Sequence, residues 1–234
     1  MDGLTSTLVL GALAIGLSHT LLGPDHYLPF LMLARARGWS LLRTLTVTAA
    51  CGVGHVLSSV LIGAVGLAFG VAIGALERAE GVRGDLGAWA FVAFGLAYAA
   101  WGARQAVRRA RGLAPHQHVH QVHIHGHGDH PHGHAHDHMS DPSTFWTLFL
   151  AFVLGPCEPL IPLFVLPASR GRYGLAITTA VVFGVVTVAT MLSVTLLGFL
   201  GLRRLPLGPF NRWSHAMAGG VIALSGAGVL ALGL

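Results

Sequence analysis

The chain has 234 residues, of which 53% are hydrophobic and only 10% charged. Soluble domains carry about 25% charged residues, so most of this surface does not face water, and the apolar stretches leave no room for a separate soluble domain. The net charge of +5 comes from 14 basic residues, all Arg, in short clusters between apolar runs, which is how topology-setting loops look and excludes a basic nucleic-acid groove.

Apolar runs of the length that crosses a hydrocarbon core predict six transmembrane helices, at 8–34, 44–73, 87–107, 145–168, 175–202 and 213–234. The first run has no basic segment before it and no small-residue cleavage site after it, so it reads as a retained helix rather than a signal peptide. Two Cys are too few for a disulfide framework.

Helix one contains His19 and then Gly23-Pro24-Asp25-His26. Proline removes a backbone donor and clashes with the preceding turn, so a break is expected here, with a simple kink as the plainer alternative. Helix two carries Cys51 and His55, four apart and hence on one face. The loop after it holds Glu77, Arg78, Glu80, Arg83 and Asp85.

The third loop is a cytoplasmic His-rich segment, 113–143, between a first three-helix unit at 1–112 and a second at 144–234. Its eleven His are His116, His118, His120, His123, His125, His127, His130, His132, His134, His136 and His138. Imidazole is the commonest metal side-chain ligand, so the tract reads as metal-binding, with a pH-sensing loop as the competitor. Helix four contains Gly155-Pro156-Cys157-Glu158, and His215 opens helix six.

Shifting the chain by 132 residues superposes Leu22-Gly23-Pro24 on Leu154-Gly155-Pro156 without a gap. The register continues through Leu28/Leu160, Ala36/Ala168, Gly52/Gly184 and Gly66/Gly198. Three helices per unit bring the second copy in from the opposite side. The expected fold is therefore an all-α membrane protein of two inverted three-helix repeats, with helices one and four broken at Gly-Pro. Loops one, three and five hold ten Arg against four in loops two and four. The positive-inside rule then puts the His-rich loop in the cytoplasm and both termini outside; the expected location is the inner membrane of a prokaryote.

Ionisable groups inside apolar spans are costly and default to function. His19, Asp25, His26, Cys157 and Glu158 are the expected metal ligands, with Cys51 and His55 as outer candidates. Imidazole, carboxylate and thiolate together suit nickel, cobalt or zinc better than magnesium or calcium. The alternative is that each His only hydrogen-bonds between helices, which is the favoured reading for His215.

The segment from His19 to Asp25-His26 resembles the histidine–aspartate–histidine signature of the nickel/cobalt transporter superfamily, which includes NiCoT permeases and NicO/Rcn-type exporters. The Gly-Pro-Asp-His form and six-helix length are most similar to UreH-like membrane proteins. The NiCoT signature has four residues between His and Asp-His, whereas five intervene here. The resemblance implies a metal role for His19, Asp25 and His26. Gly155-Pro156-Cys157-Glu158-Pro159 is similar to the Pro-Cys motif of the CcdA/DsbD family, but the repeat partner of Cys157 is Asp25, not a second Cys.

The expected function is transport of a divalent transition-metal ion, nickel or cobalt first, by alternating access; the chain is not expected to be an enzyme. The runner-up is a transmembrane thiol–disulfide carrier, and a third reading is a passive metal sensor or store. No permanent cofactor is expected. The expected partners are the lipid bilayer and the ion, with a metallochaperone or a second copy of the chain as candidates, and no nucleic acid.

Overall fold

The computed structural model describes residues 3–111, 142–155, 157–204 and 208–232. Among them all regular structure is helical: α1 (Gly3–Leu22), a 3₁₀ turn (Pro24–His26), α2 (Leu28–Arg37), α3 (Leu41–Ala68) and α4 (Ile73–Ala110). These are followed by α5 (Pro142–Leu154), α6 (Leu160–Ser169), α7 (Tyr173–Arg203), a second 3₁₀ segment (Gly208–Trp213) and α8 (Ser214–Leu232). The His tract, 116–138, and Pro156 lie outside the described residues.

Five helical stretches are long and apolar enough to cross a membrane: α1, α3, α4, α7 and Asn211–Ala231. Their outer faces carry exposed Leu57, Leu61, Val181, Val185, Leu197 and Leu224. Exposed apolar surface on this scale belongs against lipid, and the chain is a multi-pass, all-helical membrane protein.

The first predicted helix is two, α1 and α2, separated at Gly23–Tyr27; the fourth is likewise α5 and α6, separated at 155–159. The third differs more. It was expected at 87–107, yet α4 begins at Ile73, and the connection from α3 shrinks to 69–72. Hydropathy places that boundary at the charged residues, but Glu and Arg are good helix formers, and Glu80 pairs with Arg83 one turn away.

Helix boundaries in the two halves keep the 132-residue offset. α1 and α5 end at Leu22 and Leu154, α2 and α6 run 28–37 and 160–169, and α3 and α7 begin at Leu41 and Tyr173. The offset is lost at the third helix, where α4 has 38 residues and α8 has 19.

α8 lies along α4 at backbone contact. A Cβ on Gly102 would meet the Ala216 nitrogen at 2.5 Å, and one on Gly226 the Ala88 carbonyl at 2.6 Å. Of three apolar clusters among the described residues, two flank the middle of the bundle. One joins Phe30, Leu33, Cys51, Phe91, Leu148, Phe152, Met191 and Ile222; the other joins Ala12, Val56, Cys157, Leu160 and Phe183. His55 lies at the middle of α3, about 20 Å from either end at 1.5 Å per residue. There the two clusters meet, with the Phe152 ring 6.5 Å from His55 and the Phe183 ring 6.4 Å from His19.

Candidate metal centre

The first break fixes His26. α1 closes with Gly23 N–H donating to the His19 carbonyl, after which Pro24 offers no donor and starts a single 3₁₀ turn. That turn folds His26 back, so that its Nδ1–H donates to the Gly23 carbonyl (3.1 Å) and to Asp25 Oδ1 (3.2 Å). Only glycine fits at position 23, because a Cβ there would lie 2.5 Å from His26 Nδ1.

The second break fixes His55 from across the bundle. Its Nδ1–H donates to the Phe152 carbonyl at the end of α5 (3.1 Å). A Cβ on Gly155 would lie 3.3 Å from that same Nδ1. Gly23 and Gly155 are related by the 132-residue offset, and each leaves space for one imidazole.

In both rings the Nδ1 partners are oxygens that accept, so Nδ1 carries a proton, and in the neutral ring Nε2 offers the lone pair. The Nε2 atoms of His19, His26 and His55 are all buried, and none has a hydrogen-bond partner. The rings are close: His19 to His26 4.8 Å, His26 to His55 5.3 Å and His19 to His55 6.4 Å between centroids. One nitrogen each of His19 and His55 and the Cys157 sulfur lie within 4.8 Å of one another. Tetrahedral coordination sets nitrogen and sulfur ligands about 3.4–3.6 Å apart, so the group needs to draw in by about 1 Å. His26 is not in that group, but its ring packs against both of the others. Buried, unpartnered imidazole nitrogens are expensive to maintain, and two imidazoles beside a thiol suit one soft or borderline divalent ion. Asp25 holds the far side of His26, as carboxylates do behind metal-ligating imidazoles.

Cys157 is held by a device the sequence reading did not find. In a continuous helix its N–H would donate to the Val153 carbonyl. Here it donates to Glu80 Oε2 (3.4 Å), and the Val153 carbonyl accepts from Arg83 Nη1 (3.0 Å). Glu80 and Arg83 pair at 2.5 Å, with Ser59 donating to Glu80 Oε2 (3.0 Å) and Ser58 accepting from Arg83 Nη1 (2.6 Å). An ion pair from α4 thus stands in for one missing backbone hydrogen bond. The legible signal was the Glu80–Arg83 spacing of three, together with Ser58-Ser59 one turn beyond His55.

The remaining candidates lie apart from this group. Cys51 is buried in the first apolar cluster, away from Cys157 in the second, and both thiols are free. Glu158 follows Cys157 but is exposed and borders a cavity. His215 belongs to a separate group, with Nδ1 2.8 Å from the Tyr98 hydroxyl, which accepts from Arg37 Nε (3.3 Å). Comparison with protein-family models, curated proteins and solved structures found no match, so what this centre does is argued from its own residues.

Proposed function

We propose that this protein carries a divalent transition-metal ion, nickel or cobalt first, across a membrane, binding it on His19, His26, His55 and Cys157. One observation carries the reading: three imidazoles with buried, unpartnered Nε2 atoms pack ring to ring, and two of them, His19 and His55, lie beside a buried thiol. Two of the rings turn Nδ1, with its proton, to a backbone carbonyl, which in the neutral ring leaves the Nε2 lone pair for an ion. A structural histidine would use both nitrogens or expose one.

The charges balance as well. A divalent ion meets the Asp25 carboxylate and, once bound, the Cys157 thiolate, while Glu80 and Arg83 neutralise each other. Protons compete for the same donors, so binding weakens in acid. The ion lies at mid-membrane between two helix breaks, which are tolerated at such depth only where protein or a water-filled cavity satisfies the backbone. The shared boundaries of the two halves support six spans arranged as two inverted repeats, rocking about this point. The ends of α2, α4 and α7, with the starts of α3 and α8, then face the cytoplasm, because ten of the 14 Arg cluster there.

The test is flux of nickel, cobalt and zinc into liposomes, with insertion checked in parallel. His26→Ala and Asp25→Asn each lower flux at least tenfold; loss of a carboxylate behind a ligating imidazole costs about 10–100-fold in affinity. Cys157→Ser shifts preference away from soft ions, since a hydroxyl is a harder ligand. Wild-type flux in both His26→Ala and Asp25→Asn would overturn the proposal.

A further inference from the structure

Cys157 and Glu158 are adjacent in the chain but face different surroundings. Cys157 is fully buried among the imidazoles, whereas Glu158 is exposed and lines a cavity of about 350 Å³. That cavity lies between α1, α4, the start of α6 and α8, and its polar lining comes from Ser18, His19, Asp85 and Glu158. His19 is shared: it borders the cavity, its buried Nε2 has no partner, and one of its ring nitrogens belongs to the group with His55 and Cys157.

We infer that this cavity is the route by which the ion reaches the three imidazoles, with Glu158 as its inner carboxylate and His19 as the ligand that hands the ion onward. The inference rests on the metal-transport reading above.

Three features argue for it. Glu158 adjoins a ligand of the mid-membrane group, and a carboxylate facing hydrocarbon at that depth costs at least about 2.5–3.5 kcal/mol; the cavity around it must hold water. The α4 positions facing it are small: a Cβ on Gly81 would lie 3.3 Å from Glu158 Oε1, so side chains there would narrow the passage. Two carboxylates at a water-filled opening concentrate divalent cations and supply oxygens as hydration water leaves. Softer nitrogen and sulfur donors wait one step further in.

His19 lines this cavity, whereas His26 and His55 do not. Beyond them lie Phe30, Phe91 and Phe152, whose rings are 4.7 and 5.5 Å apart in the two pairs that include Phe152. Access from this cavity is therefore past His19.

The experiment uses the full chain in liposomes and in detergent, with cobalt as the probe. Glu158→Cys and Asp85→Cys should react with a membrane-impermeant thiol reagent added on one side only, while the buried native thiols stay unmodified. Glu158→Gln should slow cobalt association at least tenfold, leave the final absorption spectrum of the bound ion unchanged, and be rescued by Glu158→Asp. Wild-type cobalt binding with an unreactive Glu158→Cys, or an unchanged association rate in Glu158→Gln, would overturn the route while leaving the metal centre standing. Absence of any cobalt spectrum from the wild-type protein would overturn both.

Discussion

At the break between α1 and α2 the chain caps itself, whereas at the break between α5 and α6 a different helix does the capping. The two sites are 132 residues apart and expose corresponding backbone groups. Leu21 and Val153 are offset partners, and each carbonyl loses its helical donor at the break. Leu21 recovers one from the Tyr27 hydroxyl (3.3 Å), six residues on; Val153 recovers one from Arg83, on α4. The first break presents an imidazole steadied by a carboxylate next to it, and the second presents a thiol whose backbone is steadied by a buried ion pair. The two breaks share their position in the 132-residue offset and differ in their chemistry. The difference also predicts unequal fragility, because a local cap depends on a few neighbouring residues and a remote one on the docking of α4.

The largest effect should come from Arg83→Met. It leaves the fully buried Glu80 without its counter-charge, and breaking such a pair costs about 3–5 kcal/mol. Thermal unfolding in detergent should show a large drop, and Glu80→Gln combined with Arg83→Met should recover part of it. A double variant no better than Arg83→Met alone would mean that the ion pair is not what braces the second break.

Next in size is Gly23→Ala. Its methyl would displace the His26 ring, at a cost of about 1–3 kcal/mol for overpacking, and cobalt affinity should fall at least tenfold. Gly155→Ala should do less, because its nearest contacts lie at 3.2 and 3.3 Å rather than 2.5 Å. A larger loss from Gly155→Ala would reverse this ranking of the two breaks. The smallest effect is expected from Tyr27→Phe, which removes one hydrogen bond worth about 0.5–1.5 kcal/mol and should leave cobalt binding nearly unchanged.

The sequence made the breaks legible because Gly-Pro inside an apolar run has few physical readings, and the offset doubled the signal. It marked His19, His26 and Cys157 for the same reason: each lies at or just before a break. His55 was harder to rank. Nothing local distinguishes it from any histidine on an apolar face, and its role depends on the Phe152 carbonyl, 97 positions away. Glu80 and Arg83 were read as loop charges, because hydropathy marks where a helix becomes apolar and not where it starts. Glu158 shows the limit of offset reasoning. It matches His26 in number, but the chain turns between 157 and 158, and the two neighbours diverge into different spaces.

The seam between α4 and α8 has a consequence for how the protein is made. Gly95 packs against Gly219, which is synthesised 124 positions later. At 5–20 residues per second that interval is about 6–25 s. During it the glycine groove of α4 lacks the helix that packs into it, and Phe91 and Tyr98 lack the Ile222 and Ala218 that later complete their cluster. The first half of the centre is thus translated well before the helix that closes behind it. A chain halted before residue 216 leaves a half-built bundle, with the close-packed face of α4 open to membrane proteases and to the wrong helical partner.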